Sequence, residues 1–300
     1  MRILITGGSG LIGQALSKKL INNAFEINWL SRNPKPIEGI KVFKWDIDKS
    51  YIDPEALKGV DAIIHLAGEG IADKAWTLER KNAIIKSRTE SIRLIYNTLK
   101  KINHQVKVCV SSGGIGYYGD RGDEWLKETD SPGLGFLPES CIEWENAVSE
   151  GSSLGIRMVQ FRVGMVLTRE GGALEPLEKI TRYGMASPLG TGNQWISWIH
   201  IDDIIRVFIM ALQKPEWSGI FNGIAPNPVR NREFTRDLAK AMHKPFIFPA
   251  VPSWLLHWIL GEKAAIILDS TRAGAYKLEN SGFEFEFRTL EKALLNLYPQ

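Results

Sequence analysis

The chain has 300 residues, of which 44% are hydrophobic and 24% charged. This composition is typical of a globular protein whose core needs no covalent cross-links. The formal net charge is only +3 and the basic residues are dispersed, which argues against a nucleic-acid partner because such surfaces usually carry a clustered basic stripe. The two cysteines, Cys109 and Cys141, lie in no CxxC or Cys/His cluster, so we expect neither a disulfide framework nor a metal site.

The sequence also argues against a membrane partner. The apolar run that opens the chain is too short for a signal peptide and runs directly into glycines. No stretch reaches the roughly 18 apolar residues of a membrane span, and the nearest approach, 254–260, is interrupted by His257. Together with the low cysteine usage, which fits a reducing compartment, these features predict a cytoplasmic protein.

Strand-like and helix-like segments alternate along the first half of the chain. Patterns of buried strands occur at 2–6, 26–30, 41–45, 60–66, 106–112 and 156–167, and helical spacing occurs at 11–21, 77–101 and 137–150. Strands that are separated by helices form parallel sheets with right-handed crossovers. The order therefore predicts a doubly wound α/β fold.

The pattern weakens after residue 167. A glycine-rich segment leads to a strand at 196–201, a helix at 202–212 capped by Asp202 or Asp203, helices near 231–243, 253–268 and 289–297, and a short alternating strand at 283–287. We predict a larger sheet domain made of residues 1–167 and 194–213. A smaller, mostly C-terminal substrate-side lobe would comprise 168–193 and 214–300.

A glycine-rich loop, TGGSGLIG, stands between the first strand and the first helix. In this context Gly7 permits a tight turn, Gly10 lets the backbone approach a pyrophosphate, and Gly13 allows close packing of helix on sheet. The free N–H groups of the first helical turn, which begins at Leu11 and Ile12, would face the anion. The loop therefore predicts a bound dinucleotide.

The end of the second strand indicates which dinucleotide binds. NAD-binding proteins usually carry an Asp or Glu there, bonded to the ribose 2′-hydroxyl, whereas this chain has Ser31 and Arg32, with Lys35 close by. A guanidinium suits a 2′-phosphate, so we predict NADP(H), the alternative being that Arg32 is a solvated loop cation. Asp46, after the third strand, would meet the adenine amino group or serve as a turn residue.

Several motifs at strand ends resemble those of extended short-chain dehydrogenases/reductases: the glycine loop, then HLAG at 65–68, SS at 111–112 and YG at 118–119. Later motifs resemble the atypical "epimerase family" branch, often labelled as sugar-nucleotide epimerases. These motifs are AGE (67–69), GYYG (116–119), PLGTG (188–192), WIHIDD (198–203) and APNP (225–228). The resemblance covers nearly the whole chain. It implies a Rossmann domain, NADP(H), and a C-terminal lobe over the nicotinamide end.

The resemblance also suggests further cofactor-binding candidates at the strand ends, namely Leu66, Ala67, Gly68 and Ser111. Arg88, on the long helix, would reach the cofactor ribose or phosphate, or else be a surface cation. Arg162, which ends the sixth strand, would face the nicotinamide amide or a carboxylate. An ion pair between Arg162 and Glu145 is the alternative.

One departure from the wider superfamily concerns catalysis. Active members use a Tyr-x-x-x-Lys pair on one face of the helix after strand five, together with a Ser or Thr. If Glu145 marks the usual acidic position, the tyrosine site is Leu137 and the lysine site is Cys141, and the usual serine site is Gly114. None of these side chains can transfer the proton as the family does.

Tyr117 and Tyr118 are the nearby proton donors that remain, because both lie beyond the carboxyl end of strand five. Ser112, which ends that strand, would orient a substrate. The alternative is that the tyrosines pack over the cofactor. His200 is either catalytic or a helix cap that ties the lobes together.

Two functions from different classes are consistent with these motifs. The first is an NADP(H)-dependent oxidoreductase or epimerase acting on a small carbonyl, hydroxyl or sugar-linked substrate. The second is a cofactor-binding sensor or interaction protein without turnover. The motifs specify neither the substrate nor the oligomeric state.

Overall fold

The structure is a computed structural model that describes residues 1–299. Its strands are β1 (Arg2–Thr6), β2 (Glu26–Ser31), β3 (Ile40–Asp46), β4 (Tyr51–Ile52), β5 (Ala62–His65), β6 (Val108–Gly114), β7 (Trp125–Leu126), β8 (Arg157–Val163), β9 (Met165–Leu167), β10 (Trp195–Ile196), β11 (Trp198–His200), β12 (Gly219–Gly223), β13 (Val229–Arg230) and β14 (Arg272–Ala273). Its α-helices are α1 (Leu11–Asn22), α2 (Leu78–Leu99), α3 (Phe136–Ser149), α4 (Leu174–Arg182), α5 (Ile201–Gln213), α6 (Asn231–Ala241), α7 (Ser253–Leu260), α8 (Ala265–Leu268), α9 (Tyr276–Asn280) and α10 (Leu290–Leu297).

A central sheet of eight strands has the order β12-β8-β6-β5-β1-β2-β3-β4. Its neighbouring strands are parallel, apart from the antiparallel pair β3 and β4 at one edge. The chain winds outward from β1 through β2 and β3, then returns to β5 on the other side of β1. This topology confirms the doubly wound α/β fold. It places a switch point between β1 and β5, where ligands of such sheets bind.

Helices cover both faces of the sheet, as its apolar strands require. Ile3 and Ile5 of β1 point into one core cluster, which includes residues of α1 and α5. Leu4, between them, points into the opposite cluster, with residues of α2 and α3. A third cluster joins α4, α6 and α10 around Trp198 and Phe234. The part of the chain after β8 therefore builds a core of its own beside the sheet.

The C-terminal part of the chain differs from the sequence-based division into lobes. Strand β12 lies within the segment expected in the smaller lobe, yet it pairs with β8 as the edge of the central sheet. Helix α9 also returns to the sheet domain, where Leu278 is buried in the first core cluster. Helix α4 occupies a segment in which no element was predicted, and the strand expected at 156–167 is divided into β8 and β9.

Two local expectations in the second half are wrong. The segment 283–287 is not a strand. At its end, the buried carboxylate of Asp203 accepts the backbone N–H groups of Glu286 and Phe287 at 3.0 and 2.9 Å. That carboxylate therefore does not cap α5. The cap is His200, whose Nδ1 accepts from the N–H of Asp202 at 3.2 Å. Asp203 thus ties the C-terminal segment to α5.

Among residues 1–299, no helix combines the length and the apolarity needed to cross a bilayer.

Candidate dinucleotide site

The glycine loop has the geometry that a pyrophosphate cradle requires. Gly7 has φ +67°, and a Cβ there would lie 2.6 Å from the carbonyl of Leu66. A Cβ on Gly13 would lie 2.4 Å from the carbonyl oxygen of Gly7, so α1 packs directly on the loop. Gly10 is exposed at the start of α1, and no side chain caps its N–H groups. The free N–H groups and the open backbone fit a dinucleotide phosphate.

The loop after β5 is fastened to β1 by one hydroxyl. Oγ1 of Thr6 accepts hydrogen bonds from the N–H groups of Leu66 and Ala67, both at 3.2 Å. Leu66 is half-buried, Ala67 is buried, and Gly68 is exposed at the carboxyl edge of the sheet. The structure therefore brings these three predicted cofactor residues beside the glycine loop, at the switch point of the sheet.

Arg32 lies at the end of β2, as the sequence predicted, but it already has a partner. Its Nη1 lies 3.3 Å from Oε1 of Glu69, and its side chain is 75% exposed. Glu69 also binds Arg80 at 3.0 Å, and the hydrogen bond from Arg80 holds the pKa of the Glu69 carboxyl below its usual range. The sequence analysis missed this ion-pair cluster because its members are 11 and 37 residues apart.

The two other residues proposed for the adenosine half have local partners. Ser31 is half-buried, and its hydroxyl accepts from the N–H of Asn33 at 3.2 Å. Asp46 accepts from the N–H of Lys49 at 3.2 Å, which is the turn role considered as an alternative.

His65 is the centre of a buried polar cluster below the site. Trp144 Nε1 donates to its Nδ1 at 3.4 Å, which leaves Nε2–H to donate to the Ser91 hydroxyl at 2.8 Å. Burial, reinforced by the charge of Arg88, lowers the pKa of His65 to about 3. The hydroxyl of Ser111 lies 3.3 Å from Nδ1 of His65 and is buried. The Ser111 side chain therefore belongs to this cluster and not to the cofactor surface.

Tyr118 and Arg162 belong to a second buried network, which corrects two predictions. Arg162 binds both carboxylate oxygens of Glu145, at 2.7 and 2.9 Å, and donates to the Tyr118 hydroxyl at 3.0 Å. That hydroxyl lies 2.8 Å from Oδ1 of Asn222 and 2.9 Å from the carbonyl of Lys127. Tyr118 is fully buried, which raises its pKa to about 12. Neither side chain faces the site, and the ion pair considered for Arg162 is the one observed.

The hydroxyl groups of Tyr117 and Ser112 do not belong to either buried network. The ring of Tyr117 packs against the Arg162 guanidinium, whose Cζ lies 3.3 Å from the ring centroid. Tyr117 is half-buried, and its hydroxyl has no hydrogen-bond partner among residues 1–299. Ser112 is also half-buried, and its hydroxyl makes only a 3.4 Å contact with the carbonyl of Gly113. These are the catalytic candidates that the structure leaves free.

Neither residue at the expected tyrosine and lysine positions, Leu137 and Cys141, has a side chain that transfers protons at neutral pH. Leu137 lines a cavity of about 630 Å³ with Trp76, Phe136 and the loop 131–135 on one side and the segment 262–269 on the other. Cys141 is buried one turn further along α3, and its thiol contacts the carbonyl of Gly114 at 3.5 Å. Burial raises the pKa of this thiol to about 11, so it is not a nucleophile at neutral pH.

Three carboxylates that the sequence analysis did not single out, those of Asp120, Glu262 and Asp269, line the same cavity. Asp120 follows the 3₁₀ turn at 115–118, and Asp269 follows α8. Burial and the neighbouring charge of Asp120 raise the pKa of Asp269 to about 6. The cavity therefore combines apolar side chains with charged ones, among them a carboxyl group whose pKa is raised to about 6.

This site and the sheet around it define a Rossmann protein of the NAD(P)-binding kind. The chain is 33% identical over 297 residues to an epimerase family protein of Staphylococcus aureus strain N315, with 98% of both chains covered. It is equally similar to one from Staphylococcus epidermidis. The chain belongs to this epimerase family.

Family models and a solved structure agree with this assignment. The NAD dependent epimerase/dehydratase family model matches residues 3–134, and a domain of unknown function, DUF1731, matches residues 251–297. The human epimerase family protein SDR39U1, solved with NADPH, superposes with a TM-score of 0.87 at 28% identity, and the match covers 99% of each chain.

A nucleoside-diphosphate sugar epimerase from Corynebacterium glutamicum has a TM-score of 0.80 at 30% identity. The match covers 99% of this chain and 58% of that longer one.

Proposed function

We propose that this protein binds NADP(H) in preference to NAD(H), through Arg32. The observation that carries the proposal is an exposed guanidinium at the end of β2, where NAD-binding proteins place a carboxylate. A planar guanidinium can form paired hydrogen bonds with a 2′-phosphate, whereas its contact with the Glu69 carboxylate is a single one at 3.3 Å. The similar human protein was solved with NADPH, which supports the same preference here.

Replacing Arg32 with Ala tests this cofactor preference. We expect NADPH binding to weaken by at least about 1.5 kcal/mol, the scale of a hydrogen bond to a charged group, and NADH binding to stay unchanged. Fluorescence titration of the reduced nicotinamide measures both affinities. Arg93→Ala is the matched control. Arg93 lies toward the C-terminal end of α2, where it pairs with Glu150. Equal losses for NADPH and NADH would refute the preference.

We further propose that the protein is an oxidoreductase or epimerase for a small carbonyl, hydroxyl or sugar-linked compound. The cavity beside Leu137 has the size of a small-molecule site, and bound NADP(H) supplies hydride chemistry. Tyr117 is the side chain that we assign to hold the proton, and Ser112 the one that orients the substrate oxygen. Both have hydroxyl groups that are not taken by the buried networks.

A panel of aldehydes, ketones and nucleotide sugars tests the activity, through loss of reduced-cofactor absorbance and through isomer exchange. With any active compound, Tyr117→Phe should lower turnover by about 10²–10⁴-fold, the usual contribution of a positioned proton donor. Tyr118→Phe is the paired control, because Tyr118 is buried in the Arg162 network. If Tyr117→Phe turns over at the wild-type rate, the assignment fails.

A second function is favoured by one specific observation: the apolar Leu137 and the buried, protonated Cys141 occupy the positions of the missing pair. The protein would then bind NADP(H) without turnover, as a sensor or interaction protein. Tight NADPH binding without any reaction across the panel would support this function over the enzymatic one.

A further inference from the structure

The cavity of about 630 Å³ has an uneven distribution of charge. Three carboxylates and one guanidinium contribute to its lining, those of Asp120, Glu262, Asp269 and Arg121. The Arg121 guanidinium is already engaged. It makes two hydrogen bonds of 2.9 Å to the carboxylate of Glu124 and one of 3.1 Å to the carbonyl of Ser131. The cavity therefore presents an excess of negative charge to a ligand.

The lysines next to the cavity are engaged as well. Lys81 pairs with the carboxylate of Glu262, and Lys263 donates to a backbone carbonyl at 3.0 Å. The first turn of α3 lines the cavity, but it suits an anion poorly, because Pro138 has no N–H and Glu139 already places a negative charge there. Among the described residues that line the cavity, no cation is left free for a phosphate group.

Asp269 is the carboxylate with the least compensation. Asp120 accepts hydrogen bonds from the N–H groups of Gly122 and Ser270, both at 3.2 Å, whereas no donor or cation in residues 1–299 contacts the Asp269 side chain. Because Ser270 follows Asp269 in the chain, this bond keeps the two carboxylates on adjoining segments. Burial and the charge of Asp120 raise the pKa of Asp269 to about 6. Two like charges without a cation are costly, and a cationic ligand would remove that cost.

Aromatic side chains form another part of the lining. Trp76 and Phe136 meet edge to face, with their ring centroids 4.9 Å apart. Leu137 and Ala265 add apolar surface beside them. Aromatic faces attract both cations and apolar groups. The lining therefore suits a ligand that has an apolar body and a positive charge.

The position of the cavity suits a substrate. Leu137 stands at the expected tyrosine position, and Trp76 lies in the segment between β5 and α2. This is the carboxyl edge of the sheet, where doubly wound proteins bind their ligands. A compound held here would lie beside the position from which the wider superfamily transfers a proton.

We infer that this cavity takes a small substrate with an apolar or aromatic body and a protonated amine, and that it does not take a nucleoside diphosphate sugar. The inference rests on the proposed enzymatic function, because it treats the cavity as the substrate site, and it narrows the substrate class. The amine binds at the carboxylates of Asp120 and Asp269. The apolar body packs on the rings of Trp76 and Phe136. A diphosphate would instead meet carboxylates without a free cation.

Calorimetric titration of the NADPH-saturated protein tests the inference with benzylamine, benzyl alcohol and UDP-glucose. Benzylamine carries an ammonium group at neutral pH, and benzyl alcohol has the same ring without a charge. We expect benzylamine to bind at least about tenfold more tightly than benzyl alcohol, the scale of a hydrogen bond to a charged group. Equimolar UDP-glucose should not displace it. Equal affinities for the two ring compounds, no binding of benzylamine, or its displacement by UDP-glucose would overturn the inference.

Asp269→Asn removes the least compensated charge from the cavity. The substitution leaves no donor unpaired, since the Asp269 carboxylate accepts no hydrogen bond in the described chain. We expect the preference for benzylamine over benzyl alcohol to fall by about fivefold or more. Asp48→Asn, at an exposed position after β3, is the matched control and should keep the preference. The same preference in Asp269→Asn as in the wild type would contradict the inference.

Turnover separates this inference from the proposed function. Acetophenone and α-aminoacetophenone share a reducible ketone and differ in the amine, so loss of reduced-cofactor absorbance compares them directly. Binding of benzylamine without turnover of any carbonyl or hydroxyl compound would refute the enzymatic function and support the preference of the cavity. Faster turnover of acetophenone, or isomer exchange of UDP-glucose, would support the enzymatic function and overturn the inference. If NADPH does not bind, the cofactor proposal fails, and the same titrations without cofactor decide the preference of the cavity.

Discussion

The buried His65 should make the stability of this protein depend on pH. Its pKa falls from an ordinary value of 6.5 to about 3 because burial disfavours the imidazolium. A histidine with a lowered pKa stabilises the fold fully above pH 6.5, and this stability is lost as the pH falls toward 3. At pH 5.0 the unfolded chain gains about 2 kcal/mol from protonation that the folded protein does not, since each pKa unit corresponds to about 1.4 kcal/mol.

Urea unfolding of the wild type and of His65→Gln at pH 7.5 and pH 5.0 measures this contribution. The free energy of unfolding of the wild type should fall between the two pH values by about 2 kcal/mol more than that of His65→Gln. Other groups that titrate in this range, such as Asp269, are present in both proteins and cancel. His257→Gln, at an exposed position, should behave as the wild type does. The same pH dependence in His65→Gln and the wild type would refute the reasoning.

Two further predictions concern charged groups. Asp269 has a raised pKa of about 6, so it favours the fold below pH 4 and disfavours it as the pH rises through 6. Asp269→Asn should therefore stabilise the protein at pH 7.5 by about 1 kcal/mol, after a discount for solvent screening, and give no gain at pH 4 in thermal unfolding. Arg162→Met leaves the carboxylate of Glu145 buried and unpaired, and should cost about 3–5 kcal/mol in urea unfolding. Adding Glu145→Gln should recover part of that loss, and a double variant less stable than Arg162→Met would contradict the argument.

Much of the fold could be predicted because its signals are local. The apolar strands, the amphipathic helices and the loop TGGSGLIG depend on residues that are close in the chain. The structure confirms the doubly wound sheet, with β1, the glycine loop and α1 where the sequence placed them. The edge strand β12 was assigned to the wrong part because its partner, β8, is distant in the chain.

The directions of side chains at the strand ends could not be predicted in the same way. Tyr118 was a candidate proton donor after β6, but its hydroxyl bonds to Asn222, 104 residues later. Ser111 looked like a cofactor contact, but its hydroxyl faces His65 on the neighbouring strand. A side chain at a strand end can point toward the site or into the interior. Its hydrogen-bond partners from remote segments determine which orientation it takes.

The sequence by itself determined the fold class, the pyrophosphate loop and the cation at the end of β2, because short-range spacing and residue chemistry encode all three. It also predicted, from the position of Glu145, that Leu137 and Cys141 stand where the wider superfamily has its tyrosine and lysine. Only the tertiary structure decided which charges stay unpaired. Arg162 pairs with Glu145 on α3, whereas Arg88 donates to two carbonyls and the Ser87 hydroxyl and lies against the Trp144 ring. Ion pairing depends on how helices pack across the sheet, and that packing is set by contacts far apart in the chain.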